Sequence, residues 1–395
     1  MRRRVTFSRN LTLSLSRTCR CYCKYCAFAT HRTHLHDPAE VLALLELAAR
    51  RNVKELLVLT GERPEVDAGV RARLAEYGHA DFVGYVVWAC ERALERGLLP
   101  HTNLGVLAAE DLARLREVTA SQGLMLESVN PGLVAHQGSP TKHPERRLET
   151  IRAAGRLRIP FTSGILVGIG EREEERVAAL EALAAVHAEH GHLQEVILQN
   201  FVPHDSYYGR EPAQIADATT RERWRTGIGD APHRELPRWA TPVAIEDMKR
   251  LIGECRRLMP DVGVQVPPNL AGWWPELVQA GATDLGGLSA NGDHISPEHP
   301  FPSPHEVRKR LARDGVALTE RLCVHPPYID PEWIAQGVLD VIRERYWSFI
   351  PRRGSGRTLP PRPLRPDLVV GAVARARDGA ALTPDELTAL FAETR

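Results

Sequence analysis

The stretch that decides the fold runs from Leu11 to Cys26 and reads LTLSLSRTCRCYCKYC. Its first part, residues 11–16, predicts a β-strand, and its second part holds four cysteines within eight residues. Cys19, Cys23 and Cys26 have the spacing C-x3-C-x2-C, with the aromatic Tyr25 directly before the last cysteine. Three thiolates can hold three corners of a four-iron cluster and leave the fourth iron open to a ligand. The sequence therefore predicts a strand followed by a metal-binding loop.

Composition excludes several classes of protein. The chain has 395 residues, of which 43% are apolar and 26% charged, as in soluble globular proteins. Lysine and arginine number 51 against 50 acidic residues, so no excess positive charge indicates a nucleic-acid partner. The apolar runs are too short to cross a membrane, and no apolar segment of a signal peptide follows the first arginines. We expect a cytoplasmic protein without a membrane partner.

The seven cysteines are unevenly distributed, which is unlike a disulfide framework. Cys21 lies in the loop but outside the C-x3-C-x2-C spacing, so we expect it not to bind metal. The remaining cysteines are scattered, and we predict that they are buried free thiols: Cys90, Cys255 and Cys323. A zinc site is the alternative for the loop, because a nearby histidine could supply a fourth ligand: His31, His34 or His36.

Short apolar segments alternate with helical patterns along most of the chain. This alternation predicts an α/β fold, a closed parallel (β/α)8 barrel of the TIM type, with an open doubly wound sheet as the alternative. The predicted strands are residues 11–16, 55–60, 100–104, 124–128, 159–167, 195–200, 263–266 and 284–288. The cysteine loop follows the first strand, so it would lie at the C-terminal end of the barrel, where active sites form.

The domain organisation follows from composition. Residues 1–350 are predicted to form the barrel, with a less regular insert over residues 202–240. Residues 351–367 are rich in proline, arginine and glycine, which cannot build a core, so we interpret them as a linker. Residues 368–395 are predicted to form a small helical tail.

Beyond the cysteines, two further motifs resemble those of the radical S-adenosylmethionine (SAM) superfamily. Gly61-Glu62 resembles the segment whose carbonyls bind the ammonium group of SAM, and Gly164-Ile-Leu-Val-Gly168-Ile-Gly170-Glu171 resembles the G-x-I-x-G-x-x-E motif. The resemblance implies a [4Fe-4S] cluster held by Cys19, Cys23 and Cys26, and SAM as the second cofactor. It also implies a set of cofactor-binding residues: Tyr25, Gly61, Glu62, Glu127, Ser128, Arg147, Gly168 and Gly170.

A narrower resemblance covers about residues 5–345. Segments that carry it include Thr6-Phe-Ser-Arg-Asn10, Gly97-Leu-Leu-Pro-His-Thr-Asn103 and Gln194-Glu-Val-Ile-Leu-Gln-Asn-Phe201. They are similar to 7,8-didemethyl-8-hydroxy-5-deazariboflavin (FO) synthase, subunit 1. This family implies a lyase of factor 420 biosynthesis. It closes the deazaflavin ring of 5-amino-5-(4-hydroxybenzyl)-6-(D-ribitylimino)-5,6-dihydrouracil and releases ammonia, 5′-deoxyadenosine and methionine.

Partners and site residues follow from the same resemblance. The substrate would come from FO synthase subunit 2, and the electron from a reductant such as ferredoxin or flavodoxin. Polar residues at strand ends are candidates for substrate binding: Asn103, Gln199, Asn200, Asn269, Asp284 and Asp293. His101 and His294 are candidates for moving a proton during ring closure.

Other interpretations stay open at this point. A related radical SAM enzyme, of the tyrosine-cleaving or the menaquinone-pathway type, shares the cluster motif. An iron–sulfur electron carrier or a zinc-binding module represents a different class. The tail resembles the helical segment that precedes the second half of fused FO synthases, so we also expect this chain to be related to the first half of such a fusion.

Overall fold

A computed structural model describes residues 3–202, 236–292, 294, 299–350 and 366–393. It divides into two units, residues 1–351 and residues 352–395. Within the described part of the first unit, parallel strands form a closed barrel, because the first strand pairs with both the second and the eighth. The strands are β1 (Arg4–Leu13), β2 (Glu55–Leu59), β3 (Leu99–Asn103), β4 (Ser121–Gly123), β5 (Phe161–Val167), β6 (Leu193–Asn200), β7 (Gly263–Gln265) and β8 (Asp284–Ser289). The predicted barrel is confirmed, and the open sheet is excluded.

Helices cover the outside of the barrel, and several begin at caps that the sequence shows. The Asp37 side chain accepts from the backbone N–H of Glu40 at the start of the first helix, and Ser303 caps a later helix in the same way. The helices of the first unit are α1 (Pro38–Arg50), α2 (Ala68–Glu76), α3 (Phe82–Glu95), α4 (Ala109–Arg116), α5 (Pro144–Arg156), α6 (Glu173–His190), α7 (Ile245–Leu258), α8 (Trp274–Ala280), α9 (Pro304–Ala312) and α10 (Gln336–Arg345).

The fourth strand differs from its prediction. Regular pairing covers Ser121–Gly123, whereas the predicted segment 124–128 follows it as extended chain with one isolated bridge between Glu127 and Ile165. Glu127 has a φ of 71°, in the left-handed region that non-glycine residues seldom occupy. Regular strand pairing therefore ends at Gly123, and the chain turns near Glu127 at the mouth of the barrel.

A ninth strand, β9 (Ala317–Arg321), was not predicted. It pairs in parallel with the N-terminal half of β1. The chain that follows it crosses beneath the barrel: the Cys323 carbonyl accepts hydrogen bonds from Ser121 in β4 and Gln194 in β6, both at 2.9 Å. Residues 321–325 therefore close the N-terminal end of the barrel.

The second unit contains two helices, α11 (Pro366–Arg377) and α12 (Pro384–Glu393), which contact each other. Thr383 caps α12 through the carboxylate and backbone N–H of Glu386. α12 lies within the predicted tail, whereas α11 begins two residues before it, in the predicted linker. The predicted linker lies outside the described residues as far as position 365, as do residues 203–235 of the predicted insert and the whole of Asp293.

Two further predictions concern the scattered cysteines and membrane-spanning helices. The scattered cysteines are confirmed as buried free thiols: Cys90, Cys255 and Cys323. Among the helices that the structure describes, none combines the length and the apolar character that crossing a bilayer would require.

Candidate active site

The barrel interior is an open cavity of about 380 Å³, within the usual range for small-molecule sites. Barrel interiors are ordinarily filled by large side chains. Here several inward positions carry small residues, including Ser8, Gly123, Thr162 and Gly287, which leaves the space. The cavity extends from the cysteine loop at the C-terminal end of the strands to Arg321 and Cys323 at the other end.

The cysteine loop is held by backbone hydrogen bonds to its sulfur atoms. The N–H of Glu62 donates to Cys19 Sγ at 3.2 Å, and the N–H of Ala29 donates to Cys26 Sγ at 3.4 Å. The Cys23 thiol donates to the Ser139 hydroxyl at 3.5 Å. N–H donors of this kind orient thiolate ligands and tune the potential of an iron–sulfur cluster. The arrangement fits a cluster bound through the three predicted cysteines.

The spacing of the sulfurs disfavours zinc. A tetrahedral site with zinc–sulfur bonds of about 2.3 Å places its sulfurs about 3.8 Å apart. Among the described residues, which include every cysteine, no three cysteine sulfurs lie within 4.8 Å of one another. Burial also raises the pKa of the Cys26 thiol to about 11, so a bound metal must supply the charge that stabilises its thiolate.

The three histidines of the zinc alternative have other partners. The His31 ring stacks on Tyr22 with centroids 4.2 Å apart. His34 Nδ1 accepts from the backbone N–H of Arg17, and His36 Nδ1 lies 3.2 Å from the Glu40 carboxylate. Cys21 Sγ lies 3.1 Å from the Thr141 hydroxyl, and its exclusion from the cluster stays a prediction.

Gly61 and Glu62 connect the cysteine loop to the barrel. A Cβ atom on Gly61 would overlap the carbonyl oxygen of Thr18, so only glycine fits this close approach. The Glu62 carboxylate accepts from Arg20 Nε at 2.9 Å and from the backbone N–H of Val106 at 3.1 Å. Although burial opposes its ionisation, hydrogen bonds from Thr141, Val106 and Arg20, together with the charge of Arg147, lower the pKa of Glu62. Its side chain is therefore an anchor for the loop.

A buried group of charges lies beside the loop. Lys142 Nζ lies 2.5 Å from a Glu127 carboxylate oxygen, and Arg147 Nη2 lies 3.7 Å from the same oxygen. Burial opposes ionisation of Glu127, yet the two cations lower its pKa to about 2. Among the described residues Arg147 Nη1 has no hydrogen-bond partner, although the side chain is almost fully buried. The group carries one excess positive charge and a vacant donor, which suits a carboxylate ligand.

Lys142 is the residue of this group that the sequence did not indicate. Its ammonium lies 5.6 Å from the centre of the Tyr25 ring. A hydrogen bond with Cys21 and burial raise the pKa of the Cys23 thiol, and the charge of Lys142 opposes part of that rise. Tyr25 lines the cavity, and its hydroxyl lies 3.3 Å from His136 Nε2. The aromatic residue of the cysteine motif thus faces the ligand space.

Three of the predicted cofactor-binding residues lie away from the cavity: Gly168, Gly170 and Ser128. Gly168 and Gly170 have positive φ values, as their motif suggests, but their close contacts are with Val243 and the Trp239 carbonyl of their own chain. Ser128 Oγ accepts from the backbone N–H of Asn130 at 3.1 Å. None of the three predicted residues lines the cavity. The Glu171 carboxylate instead organises this turn, accepting from the backbone N–H groups of Gly168 and Ile169.

The predicted substrate residues separate into two groups. Four of them line the cavity with both candidate proton carriers: Asn103, Gln199, Asn200, Asn269, His101 and His294. Asp284 does not line the cavity, because it begins β8 at the closed end of the barrel, and its role in substrate binding stays a prediction. Its carboxylate accepts from Arg321 Nε at 2.5 Å and Nη2 at 2.7 Å, and its surface is fully buried. Asp293 lies outside the described residues.

The two histidines differ in their contacts. His101 Nδ1 lies 2.7 Å from the Ser121 hydroxyl, which itself donates to the Cys323 carbonyl. Burial, together with the charge of Arg321, lowers the pKa of His101 to about 4, so its ring is neutral at pH 7. His294 Nδ1 lies 2.6 Å from the Ser14 hydroxyl near the mouth.

The chain is similar to known proteins in both sequence and fold. The family model of the radical SAM superfamily matches residues 13–183, which include the cysteine loop and Arg147. The chain is 39% identical over 346 residues to 7,8-didemethyl-8-hydroxy-5-deazariboflavin synthase of Methanosarcina mazei, covering 86% of this chain and 93% of that protein. The chain belongs to the FO synthase family. Its similarity to the synthase of Methanosphaerula palustris is 40% identity, covering 86% of this chain and 95% of the relative.

Solved structures support the fold of this FO synthase family member. The FeFe-hydrogenase maturase HydG from Carboxydothermus hydrogenoformans aligns with a TM-score of 0.59 at 16% identity, covering 88% of this chain and 75% of its own. Methylornithine synthase (PylB) aligns with a TM-score of 0.55 at 15% identity, covering 80% and 84%. Radical SAM membership implies SAM and a [4Fe-4S] cluster, and the donors described above fit both groups.

Proposed function

We propose that this chain is an ammonia-releasing lyase that closes the deazaflavin ring of FO. Its substrate would be the hydroxybenzyl adduct 5-amino-5-(4-hydroxybenzyl)-6-(D-ribitylimino)-5,6-dihydrouracil, and 5′-deoxyadenosine and methionine would be released with ammonia. One observation carries the proposal: the three-cysteine loop and the vacant Arg147 donor line the same cavity as several amide side chains, in a chain 39% identical to a named FO synthase.

The mouth of the barrel would hold the cofactors. When bound, the cluster and SAM together supply a carbon radical that abstracts hydrogen. Cys19, Cys23 and Cys26 would bind three irons, and Arg147 would donate to the SAM carboxylate through Nη1. The backbone at Gly61, which lines the cavity beside Cys19, would accept from the SAM ammonium group.

The interior would hold the adduct. A planar heterocycle with a ribityl chain offers many donors and acceptors, and the walls provide amides at Asn103, Gln199 and Asn200. Apolar walls such as Leu57 and Leu59 cover the spaces between them. Residues 321–325 close the far end, which excludes bulk water from a reactive intermediate.

The roles of His101 and His294 in this reaction stay proposals. His101 is neutral at pH 7 and lies between Ser121 and the cavity. It could give a hydrogen bond to the substrate or accept one from it. His294 lies near the mouth, where its contact with Ser14 orients the ring toward the cavity.

The testing experiment is an anaerobic reaction of the reconstituted protein with purified adduct, SAM and a reductant such as dithionite or reduced flavodoxin. We expect fluorescent deazaflavin, ammonia and 5′-deoxyadenosine. A parallel reaction offers tyrosine in place of the adduct, because the tyrosine-cleaving relatives share the cluster motif. Formation of 5′-deoxyadenosine with tyrosine, and none with the adduct, would overturn the proposal.

Arg147→Lys provides a second arm, with Arg152→Lys as its control. Arg152 lies on the same helix α5, but its side chain is about one third exposed and pairs with Glu145. Only the Arg147 variant should need more SAM for the same rate of deazaflavin formation.

A further inference from the structure

We call the N-terminal end of the cavity, which residues 321–325 close, its floor. The floor contains a group of acidic residues that the proposed function does not use. Three carboxyl side chains, those of Glu55, Glu195 and Asp284, surround one guanidinium, that of Arg321. Arg321 Nη2 donates to Glu195 at 2.9 Å, and its Nε and Nη2 donate to Asp284. All four side chains are buried.

Charge balance limits how many of these carboxyls are ionised. One cation compensates one carboxylate, and an isolated charge buried in a protein is strongly unfavourable. Asp284, which receives two donors from Arg321, has a lowered pKa despite its burial. Burial raises the pKa of both Glu195 and Glu55. The floor is therefore neutral when Asp284 is ionised and the two glutamic acids are protonated.

A metal ion is a poor alternative explanation of this floor. Ligand atoms of Glu195, Asp284 and His325 lie within 4.8 Å of one another, the only such group among the described residues. The Arg321 guanidinium already lies among these groups and hydrogen-bonds to both carboxyls. Its positive charge takes the place that a cation would fill.

Glu55 lines the cavity and differs from its two neighbours because, among the described residues, it forms no ion pair, whereas Glu195 and Asp284 pair with Arg321. It is the first residue of β2, and its side chain points inward with those of Leu57 and Leu59. Its hydrogen-bonding partner is the Ser8 hydroxyl, while Arg321 acts on it only through its charge. Glu195 and Asp284 are held by Arg321, so Glu55 is the carboxyl available to a ligand.

An unused acceptor lies next to Glu55. Asn10 of β1 is in register with Glu55, lines the cavity and is 2% exposed. Among the described residues, Asn10 Oδ1 has no hydrogen-bond partner. A buried acceptor of this kind is unfavourable unless a ligand donates to it. An acid and a vacant acceptor side by side suit an amino group, which can donate to one and take a proton from the other.

We propose that Glu55 and Asn10 form an amine-release subsite in which Glu55 is the general acid that protonates the departing amino group. This inference rests on the proposed function, which includes loss of ammonia. An amino group is a poor leaving group unless it is protonated as its bond to carbon breaks.

The step balances as an elimination. The C–N bond breaks and its electron pair stays with nitrogen, which takes the Glu55 proton and leaves as ammonia. The C–H bond of the neighbouring carbon supplies its electron pair to the new C=C bond. Its proton passes to the Glu55 carboxylate and regenerates the acid, so the net change is transfer of one proton from carbon to nitrogen.

The test is the amount of deazaflavin and ammonia formed per 5′-deoxyadenosine in Glu55→Gln. The amide cannot protonate an amine, so we expect this ratio to fall about 100-fold or more while 5′-deoxyadenosine still forms. Formation of 5′-deoxyadenosine also shows that the variant folds and binds its cofactors. Glu55→Asp keeps an acid and should restore part of the ratio.

The matched control is Glu320→Gln. Glu320 lies on β9 and pairs with Lys54 and Arg9, and it does not line the cavity. This variant should keep the ratio of the unmodified protein.

A pH series separates acid catalysis from a structural role. The raised pKa keeps Glu55 protonated to higher pH than an ordinary glutamic acid, and deprotonation above that pKa should lower the ratio. Other groups in the series are Arg321, Glu195, Asp284, Cys323 and His101, which are unchanged in Glu55→Gln. The fall with pH should be absent from Glu55→Gln.

Two results would overturn the inference, and a third concerns the function itself. If Glu55→Gln keeps the ratio within threefold, or lowers 5′-deoxyadenosine and deazaflavin equally, Glu55 is not the acid. If the unmodified protein forms 5′-deoxyadenosine but no deazaflavin from the adduct, the proposed function fails instead.

Discussion

The two ends of the barrel differ in what compensates their buried polar groups. At the mouth, polar groups are incomplete without a ligand: three thiols are arranged around a loop, and Arg147 Nη1 is buried without a partner among the described residues. At the floor, Arg321 compensates Asp284 and hydrogen-bonds to Glu195 within the chain. The mouth depends on what it binds, whereas most of the floor is complete in the folded chain.

This difference predicts which substitutions lower catalytic activity and which lower the stability of the fold. A group whose partner is a ligand contributes little to folding until the ligand binds. A group whose partner is another buried side chain contributes to folding directly, and its removal leaves an uncompensated charge. Substitutions at the mouth should therefore remove activity from a folded protein, and removal of Arg321, the ion-pairing partner at the floor, should destabilise the fold.

The largest effect should follow from Cys23→Ala at the mouth. Loss of one of three thiolate ligands should abolish the cluster and lower SAM cleavage by about 1,000-fold or more, because the reaction depends on the metal centre. Iron content, visible absorption and 5′-deoxyadenosine formation after anaerobic reconstitution measure the loss. Thermal unfolding of the unreconstituted chain should change little.

Cys90→Ala is the matched control for that variant. Cys90 is a buried free thiol in α3 and packs in the apolar core outside the barrel. It should keep its iron and its SAM cleavage. Full SAM cleavage by Cys23→Ala would contradict the assignment of the cluster ligands.

At the floor, Arg321→Met should give the next largest effect. Removing the guanidinium leaves Asp284 buried without its cation, and breaking a buried pair by removing one partner costs about 3–5 kcal/mol. Urea unfolding at pH 7 measures the free energy of unfolding. Arg9→Met, which removes a partner of Glu320 that is about one third exposed, should cost less than about 1 kcal/mol. Equal losses in the two variants would remove the contrast between floor and surface.

A smaller effect is expected for Arg147→Lys at the mouth. Lysine keeps the charge but loses the paired donors, so the KM for SAM should rise about tenfold or more, with kcat less affected. Steady-state formation of 5′-deoxyadenosine at varied SAM concentration measures both constants. An unchanged KM would mean that the vacant Nη1 donor does not bind the SAM carboxylate.

The smallest effect concerns the pH dependence of His101. Burial and Arg321 lower its pKa to about 4, so the ring loses its proton well below neutral pH and stays neutral above it. The pH profile between 6 and 8 should therefore have the same shape in the unmodified protein and in His101→Gln. An inflection near pH 6.5 that disappears in the variant would contradict this pKa.

Local sequence was sufficient for part of the mouth. The cysteine spacing, the Asp37 cap and the close-packed Gly61 each depend on neighbouring residues or on backbone geometry that a short motif specifies. The glycine motif at Gly168 and Gly170 shows the limit of such reasoning. It correctly signals a close approach, but the approaching chain is the protein's own segment at residues 239–243.

The floor could not be predicted in the same way. The β9 segment Ala-Leu-Thr-Glu-Arg at residues 317–321 has one large apolar residue and no alternation, so it does not read as a strand. Asp284 is predictable as part of a strand, but its pairing with Arg321 joins residues 37 positions apart. At the mouth, Lys142 was missed for the same reason, because a short 3-10 helix brings it to Glu127. Such pairs follow from tertiary packing.

The segment that crosses beneath the barrel has a kinetic consequence. Because residues 321–325 block passage at that end, a molecule bound deep in the lumen has to enter from the side where SAM would bind. We predict compulsory-order kinetics in which the heterocycle binds first and SAM binds second, blocking the mouth of the barrel. Preincubation with SAM should then slow the first turnover after the adduct is added, and an equal rate for either order of mixing would argue for a second route.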